Sequence, residues 1–439
     1  MDNRESITDK LARLAPHLAT VKAAALLNLA ETPPIDSTRY EPERSIGPDA
    51  VGAVSVSGSR GRYWMRRSVY DPADPWGETV LPALTENDAA MNLRIPFDGS
   101  GREIPLTRCL FVDCETTGLS GGAGTVAFLT AVGQLSSDGF AVEQYFLPDP
   151  AEEAGKLDRL CQRFEDADAL ITYNGASFDL PLLEGRFHFW RLDPSFRELP
   201  HFDLLWPTRA IFGQRISECS LGNVEARLLK FARIEDLPGA EVPEVYFQYL
   251  REGHSPRLHA VFEHNRLDVV SLFVYAIWLT AMTHPEHPSL PDPDDLMALS
   301  RYWFRRHQYV AAHTALNEAE QRVLGRAQEA HLSELRGRIH KRERHYDAAH
   351  THWERVVDFE PDRVDAAEEI AKHLEHRRRD FGAALTVVDR ALEHLRVREA
   401  LGDESAGEHR EQLLYRRARL KRLQASRVNS SSQGLGAPQ

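Results

Sequence analysis

The chain has 439 residues, of which 42% are hydrophobic and 27% charged, and a formal net charge of −13. That length can bury two or three cores, and the composition excludes disordered, collagen-like and disulfide-dense classes. The acidic balance also excludes nucleic-acid binding by bulk charge, so any such surface must be a local patch.

Four cysteines (Cys109, Cys114, Cys161, Cys219) form neither a C-x-x-C pair nor a zinc-finger spacing, a reduced pattern that predicts a cytoplasmic protein. No apolar run approaches the ~18 residues of a membrane span. The start, Met1-Asp2-Asn3-Arg4, lacks a basic-then-apolar leader, and no membrane partner is expected.

In chain order, Leu11, Leu14, Leu18 and Val21 predict helix within residues 1–30. Prolines at 33, 34, 42 and 48 predict a linker over 31–50. Residues 51–56 and 63–70 have strand character, and Pro72, Pro75 and Gly77 break the pattern after residue 70. Arg60, Arg62, Arg66 and Arg67 interleave with Tyr63 and Trp64. Such a cluster either grips a phosphate backbone with bases on the rings or is a solvated strand with its aromatics in the core.

From about 105 to 282 strands and helices alternate, as in an α/β domain. Strands are predicted over 108–115, 125–135, 140–147 and 169–173, with a hairpin turn at Ser136-Ser137-Asp138-Gly139. Helices are predicted over 152–164, 178–190, 204–211, 221–231, 244–251 and 258–281. Four prolines between 284 and 295 mark a boundary. Beyond it the pattern is helical and repeats. Tyr309, Ala312, Leu316 and Ala319 match Tyr346, Ala349, Trp353 and Val356, and again Phe381, Ala384, Val388 and Ala391. The first members lie 37 and 35 residues apart (309 to 346 to 381). This is similar to the tetratricopeptide repeat; a generic helical bundle is the alternative. A basic helix over 415–427 reads as a solvated capping face, and 429–439 as a disordered tail.

Chemistry gathers at element ends. In Phe111-Val112-Asp113-Cys114-Glu115-Thr116-Thr117-Gly118 an apolar strand delivers two carboxylates two residues apart, hence on one face. Buried together they repel, and a divalent metal is the usual agent that offsets this; a solvated strand end is the plainer alternative. Asp179 follows Tyr173-Asn174-Gly175-Ala176-Ser177-Phe178 where strand turns to helix, a place that suits any acid by the helix dipole. Asp268 interrupts an otherwise apolar helix, with His264 four residues earlier on the same face. Alone, that pair could be an exposed ion pair. Gly118 to Gly124 is glycine-rich but lacks the Lys-Ser/Thr of a P-loop.

Taken together, D-x-E, then N-x-x-x-F-D, then H-x-x-x-D resembles the three motifs of the DEDD exonuclease superfamily. With Gly121-Gly122-Ala123-Gly124 and Tyr173-Asn174-Gly175, the stretch resembles the YprB-like branch of ribonuclease-H-like proteins. The resemblance implies an α/β ribonuclease-H-like domain (a mixed sheet flanked by helices) over 105–282. By pattern and composition alone, an extension over 1–100 precedes it and a proline-rich linker over 283–296 follows it, leading into all-α tetratricopeptide-like repeats over 297–428. The resemblance implies a 3′-to-5′ exonuclease acting on single-stranded DNA or RNA ends. Two divalent ions, Mg²⁺ or Mn²⁺, would be held by Asp113, Glu115, Asp179 and Asp268, with Asp113 bridging. His264 would be the general base, with His259 a weaker alternative, and Thr116, Thr117, Asn174 and Phe178 would hold the terminal nucleotide. One departure stands out. In the superfamily's histidine subgroup the His lies five residues before the last Asp, whereas His264 lies four before Asp268, the spacing of the tyrosine subgroup. The competing expectation is a nucleic-acid-binding scaffold whose helical repeats recruit a protein partner, with little or no turnover.

Overall fold

Strand β5 (Cys109–Thr116) shows how the sequence builds the fold, because it is apolar on both faces. Leu110 and Val112 point into one apolar cluster, with Leu160, Leu183 and Phe187. Cys109 and Phe111 point into another, with Val269 and Phe273. A strand buried on both faces must lie inside a sheet with helices above and below. In the computed structural model, which describes residues 48–71, 76, 92–94, 103–118, 124–193, 195–234, 236–403 and 406–433, it does. The helix expected within 1–30, the linker up to residue 47, the breaks at Pro72, Pro75 and Gly77, and Gly121, Gly122 and Ala123 lie outside the described residues.

Seven strands form the sheet: β1 (Val54–Gly58), β2 (Gly61–Tyr70), β5, β6 (Ala127–Ser136), β7 (Gly139–Phe146), β8 (Ala169–Thr172) and β9 (His201–Asp203). Their spatial order is β1-β2-β7-β6-β5-β8-β9. β5, β8 and β9 are parallel, and the remaining pairs are antiparallel. Two short strands, β3 (Asn92–Arg94) and β4 (Glu103–Pro105), pair separately. β1 and β2 thus complete the sheet, although their sequence lies well before its other strands. The arginines on and beside β2 are largely neutralised. Arg62 meets Glu152 at 2.6 Å, Arg66 meets Glu263 at 2.8 Å, and the Trp64 indole donates to Glu152. A strand with half-buried aromatics therefore describes this segment better than a phosphate grip.

Helices α1 (Glu153–Glu165) and α2 (Asp179–Phe189) cover one face. Next come α3 (Leu205–Phe212) and a single turn, α4 (Leu221–Val224), which widens into a π turn over Glu225–Leu229. α5 (Val242–Glu252) leads to α6 (Leu258–Met282). Contrary to the expectation from sequence, α6 is, by length and composition, long and apolar enough to cross a membrane. Here most of its apolar side chains, from Val261 and Phe262 to Leu279, are buried in the fold. Phe273 stacks on Phe140 at 4.0 Å and meets Phe111 edge-on at 5.4 Å.

The helical region comprises α7 (Pro293–Arg305), α8 (Tyr309–Glu320), α9 (Arg326–Arg342), α10 (Tyr346–Phe359), α11 (Val364–His373), α12 (Phe381–Ala400) and α13 (Ala406–Gln433). The first members of the three sequence sets, Tyr309, Tyr346 and Phe381, each open a helix. The indole of Trp353 packs where a Cβ on Gly337 would sit, 2.9 Å away, so only glycine admits it. The last helix runs on through Asn429–Gln433, where the sequence suggests disorder. Once a helix is nucleated each added residue gains a hydrogen bond, and a polar tail can extend it.

Candidate active site

The two-residue period of β5 extends the face of Phe111 to Asp113 and Glu115, and α6 crosses that face. The Asn265 side chain donates to Asp113 Oδ2 at 2.8 Å. Pairing of β5 with β6 shifts register between Glu115 and Thr116, a bulge that ends the regular ladder beside the carboxylates. Asp179 is the first residue of α2 and is buried. Asp268 arrives one helical turn beyond His264. The His264 Nε2 lies 3.6 Å from Asp268 Oδ2, and ligand atoms of Glu115, His264 and Asp268 all fall within 4.8 Å of one another.

The four expected acids share one electrostatic environment. Burial pushes Asp113 well above the usual carboxylate range, and the charges of Asp268, Glu115 and Asp179 push it the same way. Glu115 is driven up to about 8, first by burial and then by Asp268 and Asp179, against the opposing pull of His264 and Arg233. Asp179 is driven up to about 7 by burial, with Asp203 and Asp268 adding to it. Such a cluster holds its charge cheaply only with a cation among the oxygens. The donors among the four acids are hard carboxylate oxygens, which suit Mg²⁺ or Mn²⁺. The residues present therefore fit a divalent metal centre.

Beside it stands a network with no counterpart in the sequence motifs. The π turn carries the buried Glu225, whose carboxylate takes two hydrogen bonds from Arg233 at 2.7 and 2.8 Å. Arg233 also pairs with Asp268, and with Asp236 at 3.0 Å. Asp236 Oδ1 lies 2.8 Å from His264 Nδ1. Burial alone would lower the His264 pKa, but Asp268, Glu115 and Asp236 outweigh it and raise it. The imidazole is thus clamped at Nδ1 and offers Nε2 to the acids. His259 instead lies 4.0 Å from Glu263 and is exposed. Spacing along the chain could not reveal Arg233, Asp236 or Glu225, which reach α6 from an irregular segment. Asn265 gave one signal, a polar residue next to the His264–Asp268 face on a helix otherwise apolar.

The expected nucleotide-holding residues divide. A cleft of about 1080 Å³ is lined by Glu115, Thr116, Phe178 and Asp179, together with Phe189 and Pro243. Phe178 is 54% exposed there, a free aromatic face beside Asp179. The Thr116 hydroxyl donates to the Gly118 carbonyl at 3.0 Å, and Thr117 Oγ1 accepts from the Val126 amide at 3.0 Å, so both brace the turn after β5. Asn174 takes a left-handed backbone (φ 67°) and lines a different cavity with Tyr173 and Arg209. Its amide donates to Asp203, which also accepts from Ala176 and Leu205 and fixes the turn preceding α2.

Residues 110–280 match the RNase_H superfamily. Over 320 residues the chain is 30% identical to "Uncharacterized protein YprB" of Bacillus subtilis (strain 168), covering 72% of this chain and 75% of that one. The chain belongs to the YprB-like branch of the RNase_H superfamily. The family B DNA polymerase from the hyperthermophilic archaeon Pyrobaculum calidifontis is also similar. That likeness covers 55% of this chain and 30% of the polymerase, at 18% identity and a TM-score of 0.34, so the chain spans under a third of the polymerase's length. In this YprB-like chain the superfamily match ends inside α6, two residues short of its last residue, and α6 carries Asp268, Asn265 and His264.

Proposed function

We propose that the cleft hydrolyses phosphodiester bonds at single-stranded nucleic-acid ends, as a metal-dependent 3′-to-5′ exonuclease. The observation that carries this reading is the convergence of Asp113, Glu115, Asp179 and Asp268 into one strained group of acids. A domain that only binds nucleic acid has no use for four repelling carboxylates. Two Mg²⁺ or Mn²⁺ ions held by these acids would offset charge on the attacking and leaving oxygens and acidify the nucleophilic water. Around them the chain's own groups have distinct tasks. His264 accepts the water's proton at Nε2, and Asp236 holds the ring in place and steadies the charge it gains. Phe178 offers a face on which the terminal base stacks. The direction of cleavage rests on the resemblance to the DEDD exonucleases.

End-labelled DNA and RNA oligonucleotides with Mg²⁺ or Mn²⁺, wild type beside Asp113→Ala, test this. Nucleotides should be released stepwise from the 3′ end, and the variant should be slower by at least about 10²-fold, since even outer-shell changes at metal sites cost 10–100-fold. Equal rates in the two proteins would mean a contaminant and end the assignment. His264→Ala should lose about 10²–10⁴-fold and flatten the pH–rate profile; an unchanged profile would remove it as the base.

A second reading has one observation in its favour: Arg233 sets the chain's own cation against Asp268. That suits a nucleic-acid-binding scaffold whose helical repeats recruit a protein partner. It predicts binding without cleavage in the wild type and in Arg233→Ala alike, whereas the exonuclease reading predicts cleavage by the wild type.

A further inference from the structure

The helical region holds a second group of potential ligands, unrelated to the carboxylate cleft. His313 on α8 places Nε2 2.9 Å from Glu343 Oε2, just past the end of α9. His340, in the last turn of α9, places Nδ1 3.6 Å from the same oxygen. His345, in the turn leading to α10, places its own Nδ1 3.7 Å away. Ligand atoms of His313, His340 and Glu343 all lie within 4.8 Å of one another. His352 on α10 stacks on His340, with ring centroids 5.3 Å apart.

We propose that His313, His340 and Glu343, with His345 as a fourth ligand, form a transition-metal site of the Zn²⁺ class that ties α8, α9 and the α9–α10 turn together.

Three considerations carry the assignment. The first is geometric. Tetrahedral Zn²⁺ binds imidazole at ~2.0–2.1 Å, which puts neighbouring ligand atoms roughly 3.3 Å apart. The nitrogen-to-Glu343 separations of 2.9, 3.6 and 3.7 Å bracket that value; His313, His340 and Glu343 already lie within 4.8 Å of one another, and the exposed His345 would swing in to join them. The second is the state of the nitrogens. His340 Nδ1 is buried and has no hydrogen-bond partner among the described residues, and neither has Nδ1 of His352 behind it. Packing alone leaves such lone pairs unused, and buried polar atoms ordinarily find partners. The third is ligand type. Three imidazoles and one carboxylate favour Zn²⁺, Ni²⁺ or Cu²⁺ over Mg²⁺, so this site and the oxygen-lined cleft should sort different metals.

The test uses the full chain, loaded with Zn²⁺ and dialysed against excess Mg²⁺, which competes for the carboxylate cleft but poorly for imidazole. Wild type and Asp113→Asn should each retain a single Zn²⁺ equivalent by elemental analysis. His313→Gln and Glu343→Gln should retain none. Zn²⁺ should raise the melting temperature of the wild type and leave that of His313→Gln unchanged. His313 is partly exposed, so its variant should fold. If a variant nevertheless fails to fold, the visible spectrum of Co²⁺-loaded wild type decides. Intense four-coordinate bands under excess Mg²⁺ support the site, and weak octahedral bands overturn it. Zn²⁺ retained equally by wild type and His313→Gln, or by neither, also overturns it.

Discussion

Glu115 holds its proton to about 8 and Asp179 to about 7, whereas in an unfolded chain both would release it near pH 4. Between about pH 4 and 8 the folded protein therefore binds more protons than the unfolded one, and stability falls as pH rises through that window. His264, also raised, acts in the same direction. Chelator-treated protein should thus melt at a lower temperature at pH 8 than at pH 5, and Glu115→Gln should show a smaller decline. Mg²⁺ or Mn²⁺ added at pH 8 should restore much of the loss. Thermal melts across pH check this, and an identical pH trend in wild type and Glu115→Gln would refute it. The acids behind the effect were legible because each sits at a regular place: two on one strand face, one opening a helix, one on a helix face shared with a histidine. Arg233, Asp236 and Glu225 were not. They lie around a π turn and a left-handed Lys230 (φ 56°), where no periodicity links position in the chain to position in space.

Among the elements, α6 sets the height of Asn265 and Asp268 above β5, and Gly133 decides how near α6 comes. Gly133 pairs with Phe111 across β5 and β6. A Cβ there would stand 2.4 Å from the Phe140 ring and 2.6 Å from Val269 Cγ1, next to Asp268. Gly133→Ala should push α6 outward and cost about 1–3 kcal/mol, as overpacking does. Cleavage should fall more than binding, because misplacing groups at a reacting centre by about 1 Å can cost 10²-fold. Denaturant melts and rates at saturating substrate test this; a stable variant with full rate would show that α6 does not need this approach. The strands β5 to β8 were readable as apolar runs bounded by turns. Three-residue β9, with only Phe202 buried, carried too little pattern. That β1 and β2 join the sheet depends on pairing β2 with β7, as in Trp64 opposite Phe146, a contact between distant segments that local propensity does not encode.

Across the whole molecule, the proline-rich stretch before α7 joins parts that share one core. A single apolar cluster contains Phe111 of β5, Phe212 of α3, Phe273 of α6, and Leu296, Leu299 and Trp303 of α7, and it continues to Ile339 of α9. Asp292 caps α7 by accepting from the Asp294 amide, and buried Asp295 takes hydrogen bonds from Arg215, so α7 is anchored to the chain around α3. The prolines are read in the sequence as a domain boundary with a linker over 283–296, but proline reports only where regular structure breaks; whether the flanking faces then pack depends on the apolar stripe of α7. Each large apolar side chain moved from full burial to water costs about 1.5–3 kcal/mol. Uncovering several together rivals the about 5–15 kcal/mol that holds a typical domain folded. A chain ending after Thr283 should therefore lose its cooperative melt and bind a hydrophobic dye, although it keeps all four acids and His264. The metal-dependent cleavage proposed for it should fall with its fold rather than with its chemistry, so that stabilising osmolyte recovers part of it. A truncated chain that melts cooperatively near the full-length temperature would instead mean that α7 merely leans on the ribonuclease-H-like half, and that the shared cluster contributes little to holding α6 over the carboxylates.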